Sequence, residues 1–127
     1  MLEAATVVAV VLLVIVAAFQ IGLAAGAPWG RAAWGGRHGR ILTYRLRIAS
    51  GIAGLLVYPI IIVWIASVGG LIGGSTKPGG RIAMWVFAAL FFVGALANAA
   101  SRSSIERLWA PVSLTIAICC AIVAFTL

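Results

Sequence analysis

From residue 4 to residue 27 the chain carries no charged side chain, and Val, Leu, Ile and Ala fill nearly every position. A bilayer core of roughly 30 Å needs about 20 such residues in one helix, so this run reads as a membrane span. Three more runs of the same kind follow. They predict helices over about 48–68, 81–100 and 110–127, and with the first they use most of the 127 residues. The expected fold is all-α: a single transmembrane four-helix bundle, antiparallel and up-down, over residues 1–127. Composition agrees, since 65% of residues are hydrophobic, 9% are charged and the mean hydropathy is +1.23. A soluble domain of this size has about 25% charged residues.

The first span could also be a cleaved signal peptide, with small residues at Ala25 and Ala27. It lacks the basic n-region, because Glu3 is the only early charge, and we read it as a retained helix. Pro59 falls in the middle of the second helix. There it should kink the helix and free the carbonyl of Leu55. The link over 69–80, GGLIGGSTKPGG, is a turn-rich connection. Ser103 and Glu106 have capping-box spacing, which predicts a short interfacial helix from Ser104, and Pro111 suits the first turn of the last helix.

A net charge of +7 would suggest nucleic acid in a soluble protein. Here the basic residues flank apolar spans, where they set orientation and meet anionic headgroups, so nucleic acid is not expected. Seven of the nine lie in the loops 28–47 and 101–109, against Lys77 and Arg81 in the second loop. Loops rich in Lys and Arg stay inside, which predicts loops 28–47 and 101–109 in the cytoplasm and both termini outside. Eight of the nine are Arg in an Ala- and Gly-rich chain, which points to a bacterial inner membrane. Trp29, Trp34 and Trp109 would form one interfacial belt, Trp64 and Trp85 the other.

The segments GAPWGRAAWGG at 26–36, LRIAS at 46–50 and NAASRSSIERLWAPV at 98–112 resemble a family of small four-span bacterial membrane proteins. That family has a GAPWGxxAWGG loop and an NxxSRSxxERxWxP loop. The resemblance covers nearly the whole chain and implies the four-helix fold, but no established activity.

With both loops on one face, Arg31, Arg37, Arg102 and Arg107 would supply guanidinium forks. Trp29, Trp34 and Trp109 would supply flat walls, and Gln20 and Asn98 amides at the inner helix ends. Glu106, the one acid there, is expected to cap a helix and pair with an arginine rather than act as a base. The candidate ligand-binding set is therefore Trp29, Arg31, Trp34, Asn98, Arg102, Glu106, Arg107 and Trp109, with no catalytic constellation. The matching ligand is an anionic amphiphile, a lipid or an isoprenoid phosphate, its head on the arginines and its tail entering near Pro59.

No cofactor or metal is expected, because His38 is the only histidine and the adjacent Cys119 and Cys120 read as small hydrophobes. Small multidrug exporters share the helix number and length. Their proton coupling needs an intramembrane acid, and Glu3 and Glu106 are both expected outside the spans. Gly22 with Gly26, and Ser50 with Gly54, have the spacing that brings helices close, within the chain or between copies. The function that best suits so little soluble mass is a structural or accessory subunit of a membrane complex. The alternatives are a binder or carrier of an anionic amphiphile and a membrane-embedded lipid-modifying enzyme. Expected partners are membrane lipids, other membrane subunits or a second copy.

Overall fold

A computed structural model describes residues 1–73 and 78–127, and among these it is all-helical. Lys77 and the centre of the second loop lie outside the described residues. The helices are α1 (Leu2–Ala24), α2 (Tyr44–Ile52), α3 (Tyr58–Val68), α4 (Gly80–Ala99) and α5 (Trp109–Thr126). Four stretches are long and apolar enough to cross a membrane: Leu2–Ala24, Tyr44–Val68, Gly80–Ala99 and Glu106–Thr126. Most of their surface faces outward, as a bundle solvated by lipid requires.

The second span is one continuous helix of two α segments, α2 and α3, joined by a π-helical turn at Ala53–Val57. Pro59 therefore does not sit in a regular helix. The π turn lets the Tyr58 N–H donate to Ala53, five residues back, and Pro59 falls in the first turn of α3, where a missing N–H costs little. The span also starts at Tyr44, so Arg45 and Arg47 stand on α2 rather than in the loop.

The first helix stops at Ala24, three residues before the expected end. Gly26, at φ +97°, reverses the chain in a Schellman motif: Ala27 N–H donates to the Gly22 carbonyl (3.0 Å) and Gly26 N–H to the Leu23 carbonyl (3.1 Å). Arg47 Nε donates to the Ala24 carbonyl at 3.1 Å, and at the opposite end Arg81 Nε donates to Ala124 at 3.0 Å. Each guanidinium satisfies a carbonyl that a helix C-terminus leaves unpaired.

Small residues set the helix approaches. Gly54 lies against the backbone of Ala17 and Ile21 on α1, Gly69 against Thr6, and Gly51 against Ala24. Ser113 Oγ on α5 donates to the Phe91 carbonyl on α4 at 2.8 Å. These pairs, and Arg81 with Ala124, are compatible with an antiparallel order. The main core, including Ala9, Leu13, Ile65, Met84, Ile116 and Val123, fills the half of the bundle away from the two basic loops. A smaller cluster, Leu23, Ala33 and Leu42, anchors the first loop. The α1 helix touches α3 and α5, and α4 lies along α5, while the backbones of α3 and α4 approach each other at few points and meet through core side chains such as Ile65 and Met84.

Candidate functional site

The two basic loops meet at one end of the bundle through hydrogen bonds. Ser103 Oγ donates to the Arg31 carbonyl, and the Gly35 N–H donates to Glu106 Oε2 at 3.0 Å. A sharp reversal makes the second bond available. Trp34, Gly35 and Gly36 have φ values of +52°, +81° and +73° in succession. Gly takes that conformation without a Cβ penalty, whereas Trp34 is held in it at a cost. The Trp34 indole is fixed by donating from Nε1 to the fully buried Ser50 Oγ at 3.0 Å, which joins the loop to α2.

Half of the expected capping box is present. The Glu106 N–H donates to Ser103 Oγ at 3.3 Å, but the Glu106 carboxylate reaches across to Gly35 instead of back to Ser103. No separate interfacial helix forms. A turn at 104–105 runs into a 3-10 turn, Glu106–Leu108, that continues directly into α5. That continuity turns the Glu106 side chain into the bundle, where it is 7% exposed. The expectation that this acid lies in a surface loop and pairs with an arginine is corrected. Its partner is a backbone amide, and it lines the interior.

Three spaces surround these residues. The first is a cleft of about 650 Å³ between the first loop and the start of α5, with Phe19, Trp29 and Trp109 as its aromatic wall and Arg31 and Arg40 also lining it. Phe19 stacks on Trp29 with ring centroids 5.9 Å apart and lies 4.8 Å from Trp109. Trp29 reaches Phe19 because Gly22 has no side chain: a Cβ there would overlap the indole. Within the chain, Gly22 thus seats a tryptophan and Gly26 ends a helix.

The second space, of about 410 Å³, lies inside the bundle and shares Phe19, Ala32, Trp109 and Val112 with the first. Gln20, Trp34, Asn98 and Glu106 line it on the loop side, Tyr58 and Ile61 on α3, Phe91 and Gly94 on α4. The third, of about 370 Å³, opens at the loop end and is bounded by Arg37, Asn98, Arg102 and Glu106 among others. Asn98 and Glu106 belong to both the interior cavity and this vestibule.

The eight residues singled out by sequence do not form one site. Trp29, Arg31 and Trp109 gather at the cleft, Trp34, Asn98, Glu106 and Trp109 at the interior cavity, and Arg102 at the vestibule. Arg107 is exposed and lines none of the three spaces, and Pro59, expected beside the ligand's tail, lines none either. Sequence reasoning missed Phe19 and Arg40. Phe19 stands one residue before Gln20, which was singled out, but nothing local marks an aromatic residue in an apolar run. Arg40 joins the cleft because its own carbonyl accepts the Gly30 N–H at 2.7 Å and folds the loop back. Among the described residues no group of three His, Cys, Asp or Glu side chains could hold a metal ion. No family model, curated protein or solved structure matches this chain.

Proposed function

We propose that this small multi-pass membrane protein binds an anionic amphiphile in the cleft between its first loop and α5. One observation carries the reading: two arginines, Arg31 and Arg40, line a cleft together with Phe19, Trp29, Leu108, Trp109 and Val112. An arginine fork suits a phosphate or carboxylate, and the aromatic and aliphatic wall suits the first carbons of a tail. Its volume falls in the range of small-molecule sites, roughly 300–1,000 Å³. The basic bias of the loops supports placing this end at the cytoplasmic face of a bacterial inner membrane. An accessory role in a membrane complex rests on the lipid-facing helices alone, and a lipid-modifying reaction would need a catalytic group at the cleft beyond the arginines.

The test compares two double variants with the same charge change. Arg31→Gln with Arg40→Gln removes the cleft arginines, while Arg45→Gln with Arg107→Gln removes two exposed arginines outside the cleft. Each protein is released from vesicles of phosphatidylglycerol and phosphatidylcholine and weighed intact by native mass spectrometry. The cleft variant should lose most of the retained phosphatidylglycerol and the other variant little. Equal loss would reduce the arginines to general headgroup contacts.

A further inference from the structure

We infer that the interior cavity is a binding site for a protonated amine with an apolar body, distinct from the anion cleft. Four of the polar groups on its wall point to such a ligand. Trp34 Nε1 already donates to Ser50, and Ser113 Oγ already donates to the Phe91 carbonyl. One Glu106 oxygen, Oε2, accepts from Gly35, and Oε1 has no hydrogen bond among the described residues. Gln20 Oε1 is buried with no partner among the described residues. Both of these atoms are acceptors, and a buried acceptor such as Gln20 Oε1 without a donor is costly. What they lack is a ligand that brings N–H groups.

Charge selects among such ligands. Among the described residues Glu106 is the only carboxylic acid that lines the cavity, and no Lys, Arg or His lines it. Arg37 and Arg102 stand with Glu106 on the vestibule side, outside the cavity. A cation inside would therefore meet a carboxylate in a low-dielectric space, where opposite charges attract far more strongly than in water. The surrounding rings, Phe19, Trp34, Tyr58, Phe91 and Trp109, offer faces that favour an ammonium group. A quaternary ammonium would gain the rings but leave both acceptors empty, so a primary amine fits better.

Access follows from the packing. The arginines of the vestibule repel a cation arriving from the loop end. On the lipid side the exposed Val57 and Leu90 are among the residues that line the cavity. An amine dissolved in the bilayer would reach the cavity past these two side chains. Unlike the anion cleft, this site uses neither Arg31 nor Arg40.

The probes are hexylamine, hexyltrimethylammonium and hexanol, titrated into the detergent-solubilised protein and followed by tryptophan fluorescence and calorimetry. Hexylamine should saturate and bind about tenfold or more tightly than hexanol, as expected for one charge-assisted hydrogen bond, with the trimethyl probe weaker than hexylamine. Glu106→Gln should remove most of that preference and leave hexanol binding intact, and Gln20→Leu should reduce it several-fold. The Arg31→Gln, Arg40→Gln protein should bind hexylamine like the parent, so failure of the anion reading leaves this result standing. Equal binding of the three probes to the parent protein, which needs no variant to fold, would overturn the proposal. A preference for hexylamine that survives in both Glu106→Gln and Gln20→Leu would do the same.

Discussion

The backbone N–H of Gly35 donates to the carboxylate of Glu106 across 71 residues of sequence, at 3.0 Å, and so joins the first basic loop to the start of α5. Hydrogen bonds to charged groups contribute about 1.5–3 kcal/mol, more than exposed ion pairs, which contribute about 0–1 kcal/mol. Glu106→Ala should lower the thermal unfolding temperature in detergent clearly. Glu106→Gln, which keeps an acceptor, should lower it less, and Arg37→Gln or Arg102→Gln least of all. If the arginine variants cost as much as Glu106→Ala, the carboxylate is held by charge rather than by the loop amide.

The bond from Trp34 to Ser50 makes a similar link between the first loop and α2. Trp34→Phe keeps a ring but removes the donor, and Ser50→Ala removes the acceptor. The two changes should be coupled by about 1 kcal/mol in a double-mutant cycle of unfolding. Strict additivity would mean that the loop is held by ring packing alone.

Gly22 and Gly26 give a test that separates two uses of one spacing. In this structure Gly22→Ala pushes the Trp29 ring from its seat beside Phe19, and Gly26→Ala forces a Cβ into the left-handed region at a cost of about 1–2 kcal/mol. Both variants should be less stable as monomers, and Gly22→Ala should shift the tryptophan emission. A pair of glycines mediating a dimer would behave differently: the monomer would keep its stability and only self-association would fall.

Orientation is open to direct labelling. In a background without Cys119 and Cys120, His38→Cys in the first loop should react only from the cytoplasmic side, and Ile72→Cys beyond α3 only from outside. Both positions are exposed. The reverse pattern would invert the topology that the arginines imply.

The spans were readable from the sequence because a charge-free run of about 20 residues has few other fates. Their ends were less so, although the signals were present. Gly26 followed by Pro28 is a helix-stop pattern, and it competed with a packing motif of the same spacing. The π turn was hidden because a proline in an apolar helix announces a disturbance without saying how the backbone absorbs it. Glu106 was the main misreading. Its local sequence is that of a polar loop, and its burial depends on a reversal at Trp34–Gly36. Local patterning carries no information about an amide 71 residues away. The two loop motifs were read as one site because both are basic and aromatic. Only the packing of Phe19 and Trp109 divides them into a cleft and a cavity.

The exposed Val57 and Leu90 on the cavity lining change how dose should be reckoned for anything that occupies the interior. A ligand that reaches the cavity past them from the bilayer is counted per lipid molecule, not per litre of water, so its effective supply is a mole fraction of the leaflet. Weak intrinsic contacts can then be saturated by a compound that is scarce in the aqueous phase but partitions strongly. Solubilisation works against this, because at a fixed total amount of ligand added micelles take it up and lower its mole fraction and its aqueous level together. Occupancy by a strongly partitioning ligand should thus fall as the ratio of detergent to protein rises.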